Sequence, residues 1–303
     1  MLTAGFGTRF QPLSFVRAKA AVPLAGQPLA GRILEWLAGH DVRHVVLNLH
    51  HLPETITARV GDGCDFGVQV RYSWEFPVLG SAGGPRKALP LVGADEDFFI
   101  INGDTLTHVD LNALAGQHRQ SGALVTLAVL DSRELVTRHG GVVTDSRGIV
   151  HGFVPKGPRA VGYHFVGVQM VHPRTFTSLP IDQPAETIGG LYPRLIAEHP
   201  GSVRAFLTAG DFWDVGTPDE YLRAALSIAK SERYVQAGTG SHIHKTARVV
   251  DTVIWDDVEV GEGANLTRCI LADRVKIPAG ASFQNCAIIQ GESDLVVADL
   301  SHG

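Results

Sequence analysis

The chain has 303 residues, enough for one large domain and a smaller one, and its 45% hydrophobic and 19% charged content suits an ordinary globular protein with a sizeable core. A formal net charge of −5 with no basic run argues against nucleic acid as a partner. Cys64, Cys269 and Cys286 are too few and too far apart for a disulfide framework, no run of about 18 apolar residues offers a membrane span, and no signal-like segment precedes the first glycines, so a cytoplasmic protein is expected.

Residues 2–29 read LTAGFGTRFQPLSFVRAKAAVPLAGQPL. Gly5 and Gly7 flank one residue, Thr8 and Arg9 follow, and Lys19 sits ten positions after Arg9. Glycines let a backbone approach a ligand closely, and successive N–H groups cradle an anion. Arg9 and Lys19 add two positive charges, so the segment suits a polyphosphate. It is not the dinucleotide fingerprint, because Phe10 stands where the third glycine belongs, and no Gly-Lys-Ser/Thr closes it as a P-loop. Taken alone, a Gly-x-Gly is equally a tight turn between a strand and a helix.

Helical spacing follows over 28–37, then apolar strands at 45–49, 68–72 and 98–101. The last ends in Asn102-Gly103-Asp104. A helix is expected over 110–119, a strand over 124–129, and further strands over 148–153, 163–171 and 204–207. Residues 218–230 read as a helix, with Asp219 and Glu220 at the positive end of its dipole. Strands alternating with helices predict an α/β fold with a doubly wound, mostly parallel sheet. Such sheets bind ligands beyond the carboxyl ends of their strands, where the first glycines and Asp104 both fall.

The pattern changes near residue 240. Residues 253–269 (VIWDDVEVGEGANLTRC) align with 270–286 (ILADRVKIPAGASFQNC), with identities at 256/273, 258/275, 263/280, 264/281 and 269/286. Ile243, Ala247 and Val249 extend the frame backwards. A period of 17 is close to three six-residue units and predicts a short parallel β-helix of about three coils. The expected domains are therefore a catalytic domain over 1–235 and a hexapeptide-repeat β-helix over 240–292. Open coil ends are adhesive, so a homo-oligomer is expected, and the tail after Leu300 is expected to be loose.

The segment from Leu2 to Leu29 resembles the N-terminal motif of the sugar-1-phosphate nucleotidyltransferases, Leu-x-Ala-Gly-x-Gly-Thr-Arg-x-x-Pro-Leu, then Lys-Pro, then Gly-x-Pro-Leu. Leu2, Ala4, Gly5, Gly7, Thr8, Arg9, Pro12, Leu13, Lys19, Pro23, Gly26, Pro28 and Leu29 match. The resemblance continues at Glu75, at Leu79-Gly80-Ser81-Ala82-Gly83, at Asn102-Gly103-Asp104, at Phe153 and Lys156, at Gly167, and at Trp213-Asp214-Val215-Gly216-Thr217. It implies that a sugar 1-phosphate oxygen attacks the α-phosphorus of a nucleoside triphosphate and pyrophosphate leaves. The nucleophile is already largely ionised, so catalysis is positioning and charge neutralisation.

By the same resemblance Arg9, Lys19 and Asp104 are catalytic, and Asp104 and Asp214 hold Mg²⁺. Ala4, Gly5, Gly7, Thr8, Arg9, Gly80, Ser81, Ala82 and Gly83 surround the nucleotide. Asn102, Lys156, Gly167 and Glu186 meet the sugar phosphate. An Asp after a strand is also a common turn former or helix cap, and a loop lysine is usually just solvated. GTP and mannose 1-phosphate are the favoured substrates. The alternatives are UTP with N-acetylmuramic acid 1-phosphate, and glucose 1-phosphate with dTTP or UTP. Two rivals of other classes are a non-catalytic subunit that binds nucleotide sugars, against which the retained Arg9, Lys19, Asp104 and Asp214 speak, and an acyltransferase built on the β-helix, for which three coils are few.

Three departures stand out. Lys19 is followed by Ala20, not proline; the Glu-Lys-Pro expected near the sugar phosphate is Pro155-Lys156-Gly157; and fewer residues precede Leu2 than in the motif, which predicts a first strand short at its outer end.

Overall fold

The computed structural model describes residues 1–93, 96–232 and 237–300. The chain divides into two units, the first made of Met1–Gly5, Ile33–His51 and Gly61–Phe212, the second of Phe6–Arg32, Leu52–Val60 and Trp213–Gly303.

The first unit is built on strands β1 (His44–Leu49), β2 (Gln69–Trp74), β3 (Phe98–Ile101), β4 (Val125–Leu130), β5 (His164–Val171) and β6 (Val203–Thr208), each within two residues of its expected start. β1 and β2 pair in parallel. The other four form a sheet in the order β6-β4-β5-β3. β6 runs parallel to β4, while β5 runs antiparallel to both β4 and β3 and is the reversed member of the sheet. β4, VTLAVL, is buried over its first five residues, as a strand covered on both faces must be. Val125, Leu127 and Val129 anchor the core with Ile100, Phe176 and Tyr192.

Leu2 joins the two sheets, bridging in parallel to both Asn48 and Asn102. The residues that follow it, Thr3 to Gly5, therefore leave at the carboxyl ends of β1 and β3. On the other side of Leu2 a groove of about 530 Å³ opens, lined by Val45, Val46 and the length of β3. The Met1 amino group donates to the Val46 carbonyl at 2.8 Å.

The second unit carries the helix Pro218–Glu232 and the coils. Thr217-Pro218-Asp219-Glu220 starts the helix with the capping-box sequence, and Thr217 and Glu220 cap it through the Thr217 hydroxyl. The Glu220 N–H donates to Thr217 Oγ1 at 3.3 Å and the Thr217 hydroxyl donates to Glu220 Oε2 at 3.1 Å, with proline at the first helical position.

The coils repeat with the period of 17. Arg248 pairs with Asn265, Asn265 with Ser282, Glu259 with Lys276 and Cys269 with Cys286, all in parallel. The corners repeat too: positive φ recurs at Asp251, Arg268 and Asn285, at Asp257 and Arg274, and at Gly263 and Gly280. Val258, Leu266, Val275, Ile277 and Ile288 fill the interior, and the Sγ atoms of Cys269 and Cys286 stack at 3.8 Å as buried small side chains. Strand Leu295–Asp299 turns back antiparallel along Ser282–Gln290 and covers the edge of the last coil. The tail expected to be loose, 301–303, lies outside the described residues. Among the described residues no helix is long and apolar enough to cross a membrane.

Candidate active site

In the first unit the site grows from the carboxyl ends of the strands. Asn102 follows β3, and the Gly103 N–H donates to the Leu2 carbonyl at 2.9 Å. A Cβ on Gly103 would lie 2.6 Å from that carbonyl, so glycine is required for the approach. Gly167, at φ +74, sits at a register shift in β5 between Phe165 and Gln169. The bulge brings the Gly167 carbonyl to the Asn102 N–H at 2.8 Å. A Cβ there would meet Asn102 Nδ2 and Thr105 Oγ1 at 2.9 Å. Asn102 and Gly167 are thus neighbours, and half-buried Asp104 follows in the same turn.

Gly80 opens the helix Gly80–Val92. Its φ is +75, and a Cβ would lie 2.4 Å from Glu186 Oε1. The N–H groups of Ala82 and Gly83 donate to the Ala185 carbonyl at 2.9 and 3.2 Å. The Ser81 hydroxyl donates to Glu186 Oε2 and accepts from the Thr187 N–H at 2.9 Å. The small residues 80–83 therefore clasp the 185–187 segment. Beside the clasp lies a cavity of about 360 Å³, lined by Leu2, Ser81, Asn102, Gln169, Glu186 and Thr187 among others. The buried Tyr192 hydroxyl donates to Gln169 Oε1 and fixes that side chain; burial pushes the phenol well up, so it stays a donor.

A buried network, of which the sequence singled out Glu75 and Leu79 but not Thr3 and Asn48, supports this wall. Thr3 N–H donates to Asn48 Oδ1 at 2.6 Å, Asn48 Nδ2 to Glu75 Oε1 at 2.7 Å, and Leu79 N–H to Glu75 Oε2 at 2.8 Å. It ties the residues after Leu2 to the turn that starts the Gly80 helix. Gly84 is forced by it, since a Cβ would lie 2.5 Å from Glu75 Oε1. An asparagine inside the apolar run VVLNL was the available signal.

Lys156 is exposed and does not line the 360 Å³ cavity. Its backbone packs on Gly140, where a Cβ would come within 3.4 Å of Lys156 N.

In the second unit Gly7 adopts φ +62 and Thr8–Phe10 forms a single 3₁₀ turn. Phe10 is fully buried, edge-on to Tyr221 at 5.6 Å, and anchors the turn that carries Arg9. Lys19 starts a further 3₁₀ turn, Lys19–Ala21, and the Ala18 N–H ahead of it donates to Thr55 Oγ1 at 3.0 Å. Gly216 reports where the charges meet. A Cβ on it would lie 2.9 Å from Glu220 Oε2, 3.1 Å from Asp214 Oδ2 and 3.2 Å from the Arg9 guanidinium. Arg9 and Asp214, distant in sequence, thus converge with Glu220 around one glycine. Glu220 was read from sequence only as an acid suited to a helix start.

These features match a known pattern. Residues 1–231 match the Nucleotidyl transferase family model, and residues 231–284 match the GlmU-like, C-terminal hexapeptide model. The chain belongs to the nucleotidyl transferase family. Among relatives of this nucleotidyl transferase, a UTP–glucose-1-phosphate uridylyltransferase of Synechocystis is 29% identical, aligned over 96% of this chain and 79% of its own. A mannose-1-phosphate guanylyltransferase of Mycobacterium tuberculosis is 26% identical over 94% and 82%. HddC from Yersinia pseudotuberculosis shares the fold with a TM-score of 0.64 at 23% identity, covering 75% of this chain and 96% of that one.

Proposed function

We propose that this nucleotidyl transferase moves the nucleotidyl group of a nucleoside triphosphate onto a hexose 1-phosphate and releases pyrophosphate. Guanylyl transfer to mannose 1-phosphate is the favoured pair, because relatives from Mycobacterium tuberculosis and rice carry that activity in their names. The observation that carries the reading is the convergence of Arg9 and Asp214 at Gly216. A guanidinium that can take phosphate oxygens stands beside a carboxylate that can take a hard cation.

The donor set fits Mg²⁺: Asp104 and Asp214 are half-buried carboxylates, and Mg²⁺ takes carboxylate oxygens while keeping several waters. Asp104 and Asp214 would hold the ion, which when bound neutralises phosphate charge. The chain's own groups position the substrates. Ala4, Gly5, Gly7 and Thr8 present backbone and hydroxyl to the triphosphate, and Arg9 and Lys19 neutralise it. The Gly80–Gly83 segment offers a flat, small-residue face to the nucleoside. Ser81 orients Glu186, which with Asn102 faces the sugar in the 360 Å³ cavity. Gly167 shapes the Asn102 turn, and Lys156 takes the sugar phosphate. We place the catalytic domain at 1–235 and the β-helix at 240–292, and read the coil surface as the route to a homo-oligomer.

The test is pyrophosphate release with Mg²⁺. GTP, UTP, dTTP, ATP and CTP are crossed with mannose, glucose, N-acetylglucosamine and N-acetylmuramic acid 1-phosphates. Asp104→Ala runs alongside. Release with one pair, lost in the variant by about 10³-fold or more, supports the reading; release that survives in the variant, or no release across the grid, refutes it.

A further inference from the structure

β5 reads HFVGVQMV, and Gln169 is its one amide. Gln169 is 1% exposed, in company with the buried Val166, Val168, Met170 and Val171. An amide costs stability in such a place unless its groups are paired. Its oxygen is paired: the fully buried Tyr192 donates its hydroxyl to Gln169 Oε1 at 2.5 Å. With the carbonyl so held, the NH2 is the end of the side chain left to meet a ligand. It carries two donors, and among the described residues none supplies it an acceptor.

The strand delivers this amide to the cavity of about 360 Å³. Phe165 stands opposite Val129 of β4, and Gln169 opposite Leu127. Residues opposite one another in an antiparallel pair share a face, and so do residues two apart on one strand. The bulge around Gly167 therefore sets Phe165 and Gln169 on the same side of the sheet, and both line the cavity. Without the bulge Gln169 would stand opposite Val125, farther from the carboxyl ends of β3 and β4, where such sheets take their ligands.

The chemistry of the lining says what the amide meets. Glu186 lines the same cavity. A carboxylate accepts, an amide NH2 donates, and a hydroxyl does both. A ligand rich in hydroxyls suits such a lining.

We infer that Gln169 is a specificity-determining residue for the sugar: its NH2, aimed by Tyr192 as a positioning residue, donates to a hydroxyl oxygen of the hexose. The inference rests on the nucleotidyl transfer reading, which puts the hexose in this cavity, and adds to it a residue that no motif marks.

Three variants of the full chain separate recognition from packing. Gln169→Leu removes the donors but leaves the Tyr192 hydroxyl buried without its acceptor. Tyr192→Phe frees the amide to turn. The double variant replaces both partners by apolar groups, which restores the balance of pairing in the interior. In pyrophosphate release from the pair that turns over, Gln169→Leu should raise KM for the hexose 1-phosphate by about tenfold, with kcat and KM for the nucleoside triphosphate within about twofold of wild type. Tyr192→Phe should raise the same KM by about threefold. The double variant should recover the Tm lost in Gln169→Leu and keep the raised KM. Monodeoxy hexose 1-phosphates then locate the hydroxyl: the gap between wild type and Gln169→Leu closes for one of them and persists for the others. A sugar KM that recovers along with Tm in the double variant, a change in the triphosphate KM instead, or a gap that no deoxy sugar closes overturns the inference and leaves the reaction standing. Calorimetric titration with GDP-mannose and with GDP probes the contact without turnover. If no pair releases pyrophosphate, yet Gln169→Leu weakens GDP-mannose by about tenfold and leaves GDP unchanged, the reaction falls and the contact stands.

Discussion

Arg17→Met tests the joint between the N-terminal segment and the coils in the second unit. Arg17 is 2% exposed and lies over the Trp255 ring at 5.0 Å. Its Nε donates to Asp273 Oδ2 at 2.6 Å, its NH2 to Asp273 Oδ1, and the same NH2 to Asp256 Oδ2 at 2.6 Å. Asp256 and Asp273 occupy equivalent places in successive coils, so the repeat stacks two carboxylates around one guanidinium. Removing one partner of a buried ion pair costs about 3–5 kcal/mol, because the other charge stays behind. Asp256 retains Arg59 at 3.3 Å and the Thr239 N–H at 3.0 Å; Asp273 retains the Asp256 N–H at 3.1 Å. Both are also partly exposed, at 33% and 17%. The lower end, about 3 kcal/mol, is therefore expected. With an unfolding entropy of roughly 2 cal/mol/K per residue, that lowers Tm by about 5 °C.

The pH dependence separates charge from packing. In the wild type, burial raises the Asp256 carboxyl, but Arg17, the Thr239 N–H and Arg59 outweigh it and hold it below its ordinary 3.8. That stability is present above the unfolded pKa and lost as pH falls through the folded one. In the variant the orphaned pair gains by taking up a proton, so its deficit shrinks on acidification. Urea unfolding of both proteins at pH 7, 6, 5 and 4 should show the gap narrowing below about pH 5. A gap that stays constant from pH 7 to 4, or one under about 1 kcal/mol at pH 7, would show that the guanidinium is only filler and refute the reasoning.

Gly216→Ala pushes a methyl between Arg9, Asp214 and Glu220, and kcat/KM should fall by about 10²-fold with the fold retained by circular dichroism. Asn48→Ala leaves Glu75 Oε1 and the Thr3 N–H unpaired in the interior, and should lower stability by about 2–3 kcal/mol in urea titrations. His164→Phe should gain on the wild type as pH falls. The folded wild type keeps this ring neutral down to about pH 4 while the unfolded chain protonates it near 6.5, so acid costs the wild type up to about 3 kcal/mol that the variant is spared. Parallel unfolding curves at pH 8 and pH 4.5 with an unchanged difference would contradict this.

Much of the scaffold was legible because it is periodic. The spacing of 17 that aligns 256 with 273 and 269 with 286 is the register in which the coils pair, and even their left-handed corners obey it. The apolar runs became strands with ends displaced by a residue or two, since fraying ends carry no pattern. Strand direction was not legible: β5 reads HFVGVQMV, and an alternation of apolar residues is the same in either direction. The bulge at Gly167 is likewise tertiary, made by the Asn102 turn that needs room there. Motif residues such as Arg9, Asp214 and Asn102 could be named from the chain, but their company could not. Glu220 carries the capping-box signature in plain view, yet its approach to Arg9 at Gly216 depends on where the Thr8–Phe10 turn is anchored, which Phe10 and Tyr221 decide.

The same contrast bears on substrate choice. Where the family motif has Glu-Lys-Pro, this chain has Pro155-Lys156-Gly157. A glutamate there accepts hydrogen bonds from sugar hydroxyls; a proline side chain accepts none, and its nitrogen donates none. Sugar recognition must then come from other elements. The strand Val150–Val154 just before Pro155 lines a cavity of about 160 Å³ with Phe153 and Val154, to which β5 adds His164. An acidic acceptor rewards sugar hydroxyls. Restoring the motif by Pro155→Glu should therefore raise kcat/KM for the hexose 1-phosphate the enzyme uses. If kcat/KM stays level or falls, the exchange at Pro155 does not govern the sugar.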